Sequence, residues 1–138
     1  MIEYDMVLLE SRKETENKLR WDAQLTDAVF SLYIPKEQVP DPWPGRIRVR
    51  VEALEGHRPE RPREPRSVKT QPIEAIVERL EEKTKTVRYR PQGDPSDWEI
   101  GEPYVPFEVL ESLSTQIPPI LKLVVQWDSH APFESQIS

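Results

Sequence analysis

The stretch "RIRVRVEAL", residues 46–54, decides the fold, because its apolar and charged side chains alternate without a break. The odd-numbered residues from Ile47 to Ala53 are apolar and share one face, and three arginines and a glutamate share the other. Alternation with a period of two is typical of a half-buried strand in an antiparallel sheet. We therefore predict a β-strand whose apolar face lies in a core and whose arginines meet water.

Similar alternation or short apolar runs recur along the chain, and we predict that most of the molecule is β-sheet. The other segments predicted as strands are 2–10, 18–26, 28–34, 85–90 and 120–127, with a short extended piece that starts at Trp98 and Ile100. Short links between the first four strands predict a meander. The expected fold class is α+β and mainly β, with a predominantly antiparallel sheet that is closed or sandwiched, one amphipathic helix and one short helix.

The helical predictions come from a change of period after the first four strands. In "TQPIEAIVERLEEK" the apolar residues from Ile73 to Leu80 stand at i, i+3, i+4 and i+7, which is one stripe of an α-helix. Pro72 suits the first turn of a helix, where its missing N–H costs nothing. We predict the amphipathic helix over 72–83 and the shorter helix near 106–113.

Composition restricts the class of protein. A chain of 138 residues is expected to form a single domain, 1–138, and its lack of cysteine excludes disulfides and thiolate metal sites. The first residues carry acids and no basic segment before their apolar run, and no apolar run approaches the roughly 20 residues that span a bilayer. We expect a soluble, cytoplasmic protein without membrane contact, cofactor or metal.

The segment "GHRPERPREPRSVK" raises the question whether it binds an acidic partner or only connects two parts of the fold. Its prolines recur at every third position from Pro59 to Pro65, the period of a polyproline-II helix. The arginines that would project from it at regular intervals are Arg58, Arg61, Arg63 and Arg66. Because glutamates interleave with them, we predict a semi-stiff, solvated connecting segment over 56–71, and a poorly packed tail over 128–138.

The arginine stripe of the strand 46–54 is the best-defined polar feature. Arg46, Arg48 and Arg50 would stand about 6.6–6.8 Å apart on one face, close to the phosphate spacing of a single nucleic-acid strand. Residues 46–69 carry a net charge of +4 and the remainder of the chain −10. The alternative is a solvated sheet face on which the arginines pair with carboxylates, and the available ones are Asp22, Glu10 and Glu99. Lys18, Arg20, Arg88 and Arg90 could widen the stripe.

Trp43, between Pro42 and Pro44, is the one aromatic residue that we expect to face outward. Such a residue either anchors a partner or closes a local cluster. The tentative binding residues are Arg46, Arg48, Arg50, Arg58, Arg61 and Trp43.

Catalytic patterns are weak. His57 and His130 are isolated, no glycine-rich loop or nucleophile elbow is present in the sequence, and some carboxylate pair is always available among 25 acids. The leading hypothesis is a non-catalytic β-rich interaction or accessory module, with an unknown protein partner or self-association through a sheet edge or the Trp43 loop. The alternatives are nucleic-acid binding through the stripe of Arg46, Arg48 and Arg50, and a small carboxylate-dependent enzyme.

An internal echo links "LYIPKEQV" (32–39) and "PYVPFEVL" (103–110), which share Tyr, a β-branched residue, Pro, Glu and an aliphatic residue in the same order. It indicates either a duplicated half-domain or two strands that end alike. The second copy, in "IGEPYVPFEVLESLSTQIPPILKLVV", resembles the swapped-hairpin AbrB/SpoVT family of transcription regulators. A basic residue commonly follows the glycine in that family and helps to contact DNA. Glu102 stands there in this chain, so the resemblance does not carry DNA contacts over.

Overall fold

The computed structural model describes residues 1–9, 17–54 and 66–127. They form eight strands and one α-helix, with two 3₁₀ turns at Lys36–Gln38 and Pro95–Asp97. The strands are β1 (Ile2–Leu8), β2 (Lys18–Gln24), β3 (Val29–Pro35), β4 (Arg46–Leu54), β5 (Ile73–Glu82), β6 (Thr86–Pro91), β7 (Tyr104–Pro106) and β8 (Ile120–Trp127). The helix, α1, is Phe107–Leu113 and lies between β7 and β8.

The strands close into an antiparallel barrel in the order β1-β2-β3-β7-β6-β5-β8-β4. This confirms the prediction of a mainly β, antiparallel sheet, and of the two forms left open, closed or sandwiched, the sheet takes the closed one. The predicted meander holds for β1 to β3, but β4 leaves it and pairs with β1 and β8 instead. The chain therefore crosses one end of the barrel between β3 and β4, and it crosses the other end between β7 and β8.

The two ends of the barrel differ in what covers them. We call the end at which β1 finishes and β4 begins the upper end, and the opposite one the lower end. The connections 36–45 and 92–103 lie at the upper end, and α1 lies at the lower end. Helix α1 buries Val109 and Leu110, and its Glu108 carboxylate accepts hydrogen bonds from the N–H (3.1 Å) and the hydroxyl (3.2 Å) of Thr26 in the β2–β3 turn.

Apolar side chains fill the interior, as expected for a barrel of this strand number. The largest of the fully buried side chains are Trp21, Tyr89, Phe30 and Met6. Tyr89 donates its hydroxyl hydrogen to the carbonyl of Pro118 (2.8 Å), and burial raises the pKa of its phenol above the usual range. Burial, and then the charge of Glu108, also raise the pKa of Tyr4.

The predicted amphipathic helix over 72–83 is wrong, because this segment is β5. Its inward-facing residues, Ile73, Ala75 and Val77, alternate as in any strand, and β5 pairs with β8 on one side and β6 on the other. Ile76 faces outward and Leu80 is 44 % exposed, so two of the four residues of the predicted helical stripe lie outside the core. Two neighbouring strands supply backbone partners along β5, and this tertiary pairing overrides the local period.

The other predicted elements fare better. Helix α1 confirms the short helix predicted near 106–113, and the remaining predicted strands match β1 to β4, β6 and β8. Trp98, where a short extended piece was predicted to start, has an extended backbone, but the first strand after it is β7, which begins at Tyr104. Among the described residues, no helix is both long enough and apolar enough to cross a membrane.

The barrel consists of two halves with the same order of elements. Each half has three strands in a meander, a helical turn after a Tyr-aliphatic-Pro sequence, and a fourth strand: β1-β2-β3-3₁₀-β4 and β5-β6-β7-α1-β8. The second half has in addition the 3₁₀ turn Pro95–Asp97 between β6 and β7. Exchanging the halves leaves the circular strand order unchanged. The halves are therefore related by a pseudo-two-fold axis that exchanges the upper and lower ends.

The backbone registers of the two halves also match. Ile2 lies opposite Val51 between β1 and β4, and Ile73 lies opposite Val125 between β5 and β8. At the first hairpin of each half, Leu8 lies opposite Trp21 and Arg79 lies opposite Tyr89. A third pair matches as well: Arg20 lies opposite Tyr33, and Arg88 lies opposite Tyr104. Each arginine stacks its guanidinium on the ring of that tyrosine, at 5.7 and 5.9 Å.

Hydrogen bonds outside the strands repeat as well. The Trp21 indole donates to the carbonyl of Pro44 (3.1 Å), as the Tyr89 hydroxyl donates to that of Pro118. The N–H of Leu8 donates to Gly45 (2.8 Å), as that of Arg79 donates to Pro119 (2.9 Å). These repeats favour the duplicated half-domain as the explanation of the sequence echo.

Candidate functional site

The arginine stripe lies on the outer face of β4, as predicted, and two of its three members are paired with carboxylates of β1. Arg48 Nε donates to Asp5 (3.1 Å), directly opposite in register, and Arg50 donates from Nε (3.2 Å) and Nη2 (3.1 Å) to Glu3. Opposite charges that face each other across two strands stabilise the sheet and reduce the positive potential of the stripe. The solvated, cross-paired face is the alternative that this geometry favours.

The carboxylates that the sequence offered to the stripe bind other arginines. Asp22 accepts from Arg20 (2.8 Å) on its own strand, and Glu99 accepts from Arg66 (3.2 Å), while Glu10 lies outside the described residues. Side-chain alternation could not identify Glu3 and Asp5 as the partners, because they become neighbours of the stripe only when β1 pairs with β4.

The sequence indicated that Arg88 and Arg90 could widen the stripe, but neither lies beside it. Arg88 and Arg90 lie on β6, which β5 and β8 separate from β4. Hydrogen bonds to Glu102 raise the pKa of Arg88, and Glu81 also accepts from it (3.4 Å). Arg90 stacks instead on the ring of Trp98, at 5.6 Å.

Arg46 differs from the other two stripe members. Its side chain is exposed, and within the described part of the chain it makes no hydrogen bond or ion pair. In register it lies opposite Val7 of β1, an apolar residue, rather than opposite an acid. The upper end of the stripe therefore keeps an open guanidinium, whereas Arg48 and Arg50 are paired.

A group of exposed apolar side chains adjoins Arg46 at the upper end. Val7 is 53 % exposed, Leu9 39 % and Trp43 47 %, and the hydrogen bond from Leu8 N–H to the Gly45 carbonyl (2.8 Å) holds β1 beside the connection that carries Trp43. We call the four residues of this surface the rim patch, namely Val7, Leu9, Trp43 and Arg46. The prediction that Trp43 faces outward is thus met in the structure, and Lys36 stacks on its ring at 5.5 Å.

The pseudo-two-fold axis provides a comparison for the rim patch inside the same molecule. At the lower end Glu78 corresponds to Val7, and Ile117, partly buried against the core, corresponds to Trp43. Ile120, the first residue of β8, corresponds to Arg46 and is only 8 % exposed. Leu80, the counterpart of Leu9, is 44 % exposed. Leu9 is exposed to a similar extent, so this position does not distinguish the two ends. The upper end therefore presents an apolar and basic surface that the lower end covers or replaces with a carboxylate.

A second polar centre at the upper end is built around Arg66, which the sequence led us to expect as a projecting side chain. That expectation is wrong: the Arg66 side chain is 8 % exposed and its partner Glu99 10 %. Its remaining N–H groups donate to the carbonyls of Lys69 (2.9 Å), Gln71 (3.0 Å) and Gln38 (2.9 Å) and to the side-chain oxygen of Gln38 (2.7 Å). All five guanidinium donors are used, so Arg66 joins three separate segments.

A cleft of about 620 Å³ lies beside Arg66, between residues 66–69 and the 96–99 loop. Much of its polar lining is occupied by internal hydrogen bonds. The side-chain oxygen of Gln71 accepts from the N–H groups of Ser67 and Val68, and Asp94 accepts from the N–H (2.9 Å) and hydroxyl (2.8 Å) of Ser96. These two bonds lower the pKa of Asp94. The hydrogen bonds of Ser67, Val68 and Ser96 therefore fix much of the cleft wall.

Some of the predicted residues cannot be placed. Arg58 and Arg61 of the tentative binding set, together with the histidines at 57 and 130, lie outside the described residues. Within the ranges that are described, no three His, Asp or Glu side chains converge as metal ligands would. Val7 and Leu9 were not in the predicted set, since exposed apolar residues at the end of a strand give no signal before the barrel's covering loops are known.

No known protein family, curated protein or solved structure matches this chain.

Proposed function

We propose that this protein is a non-catalytic interaction module that binds a protein partner at the rim patch. The observation that carries the proposal is the difference between the two ends of a pseudo-symmetric barrel. Trp43 is 47 % exposed at the upper end, whereas its counterpart Ile117 packs against the core. Exposed aromatic residues beside arginine are the side chains that most often dominate the affinity of protein interfaces.

The interior and the buried polar groups support a binding rather than a catalytic role. Apolar side chains occupy the barrel, and the buried polar groups Arg66, Glu99 and Tyr89 each hydrogen-bond to another part of the fold. Such groups stabilise the scaffold on which a surface is displayed. A module that presents its contact surface on loops and strand ends of a rigid barrel is a common arrangement.

Nucleic-acid binding through the arginine stripe has weaker support. A phosphate backbone needs a row of open cations, and Arg48 and Arg50 already bind Asp5 and Glu3. Self-association through a sheet edge is also less favoured than the rim, because barrel closure gives every strand a neighbour on both sides.

Photo-crosslinking tests the proposal. Benzoylphenylalanine replaces Trp43 in one variant and Leu80, exposed at the lower end, in the control variant, and both are irradiated in a lysate of the native host. We expect Trp43→benzoylphenylalanine to give a discrete protein adduct that unlabelled wild-type protein prevents and unlabelled Trp43→Ala does not. The adduct protein, once purified, should bind the wild-type module. No adduct, or the same adducts from both positions, would contradict the proposed function.

A further inference from the structure

The charges around the rim patch indicate which kind of partner it fits, provided that the rim patch is the contact surface proposed above. Arg46 has an exposed guanidinium without a partner among the described residues, and Val7 lies directly opposite it on β1. On the other flank of β1, Arg20 binds Asp22 and therefore contributes little net charge. The open charge beside the apolar residues is thus positive.

Trp43 also has a cation near its ring. The Lys36 ammonium stacks on the indole at 5.5 Å, so one face of the tryptophan is already occupied. Two acids, Glu37 and Asp41, lie in the same connection as Lys36, whereas Arg46 faces no acid in register across β1. A partner carboxylate would therefore bind at Arg46, and an apolar partner side chain would cover the exposed Val7, Leu9 and Trp43.

We infer that the rim patch binds an acidic protein segment in which a carboxylate adjoins a leucine or an aromatic side chain. The apolar side chain would cover Val7, Leu9 and Trp43, and the carboxylate would pair with Arg46, whose planar donors suit bidentate binding. The whole chain carries a net charge of −6, so an acidic partner needs a local positive charge such as that of Arg46 in order to be attracted to this surface.

Selection from a library of random peptides displayed on phage tests this inference with the full-length protein. We expect the selected peptides to be rich in Asp or Glu next to Leu, Phe or Trp. One of them, made synthetically with a fluorescent label, should bind wild-type protein with an affinity that falls as salt is added. Arg46→Glu and Trp43→Ala should each weaken binding by about tenfold or more.

Matched variants separate the rim patch from general effects of charge and exposure. Arg79→Glu makes the same charge change at the lower end, and Val68→Ala truncates another exposed apolar residue, 56 % exposed, outside the patch. Both should bind the peptide as the wild type does. Asp41→Asn removes an acid near Trp43 and should strengthen binding, an effect opposite in sign to that of Arg46→Glu. Melting temperatures show that each variant remains folded.

Several outcomes would overturn the inference. These are selection of basic peptides or of none, undiminished binding of the peptide to Arg46→Glu and Trp43→Ala, and displacement of the peptide by a single-stranded oligonucleotide of mixed sequence. If crosslinking at position 43 succeeds while the acidic peptides fail, the interaction module stands and only the chemistry assigned to its partner is wrong. If crosslinking fails as well, the proposed function is wrong.

Discussion

Arg66 illustrates, at the scale of one residue, why its surroundings could not be inferred from the sequence. It follows a run of arginine and proline whose period predicts regular projection into solvent, yet its guanidinium is nearly buried against Glu99, which lies 33 positions away. No local spacing reports a contact of that separation. The arginine stripe is the opposite case, because alternation correctly placed Arg46, Arg48 and Arg50 on the outer face of a strand.

We predict that Arg66→Ala lowers the free energy of unfolding by about 3–5 kcal/mol, because it removes five hydrogen bonds, among them the one to the nearly buried carboxylate of Glu99. Arg66→Lys should recover only part of this loss, since one ammonium cannot reach all the acceptors that the planar fork joins. Urea unfolding followed by circular dichroism measures the change. Arg46→Ala is the control and should change stability by less than about 0.5 kcal/mol. Equal stability of the two alanine variants would contradict the role given to Arg66.

At the scale of one element, β5 shows where periodicity misleads. Its apolar residues satisfy both a strand period and a helical one, because Ile76 and Leu80 are apolar although neither lies in the core. The ambiguity disappears only when β6 and β8 are known to flank the segment. Strands with a polar outer face, such as β2 and β4, carry no such ambiguity, and the sequence was sufficient to predict them.

The two isoleucines of β5 distinguish the strand from the helix. We predict that Ile73→Ala, at a fully buried position, costs about 2–5 kcal/mol of stability, whereas Ile76→Ala on the outer face costs less than about 1 kcal/mol. In the amphipathic helix both residues would lie on the buried stripe and both changes would be severe. Thermal and urea unfolding of the two variants provide the comparison, and similar large losses at both positions would contradict the strand.

At the scale of the molecule, the strand order was the part that the sequence left open. Alternation predicts that strands exist and which face is buried, but pairing β4 with β1 and β8 depends on contacts between distant segments. The pseudo-two-fold relation was visible only as an echo of a few residues, because the two halves keep their registers while most of their side chains differ. Barrel closure was one of two outcomes that the apolar patterns allowed.

Closure is uneven around the barrel, and this predicts how the molecule opens. Strands β4 and β8 pair along nearly their whole lengths. Among the described residues, the β1–β2 register covers Val7 and Leu8 and the β3–β7 register covers Ser31, with one further backbone hydrogen bond beside each, from Leu9 to Arg20 and from Gly101 to Tyr33. We predict that amide hydrogens of the β2–β3 hairpin exchange faster than those of β4 and β8, because fewer pairings must break to release it. Hydrogen exchange followed by mass spectrometry measures this. Equal protection of the hairpin and of β4 would show that the barrel opens only as a whole.

The pseudo-two-fold axis has a consequence for valency. An axis that exchanges the ends would, in a perfectly repeated barrel, display two identical contact surfaces, and such a molecule could cross-link its partners into chains. Here Glu78, Ile117 and Ile120 replace Val7, Trp43 and Arg46 at the second end. With the rim patch as its contact surface, each copy is monovalent and binds one partner. It can then cap or mask that partner but cannot bridge two of them.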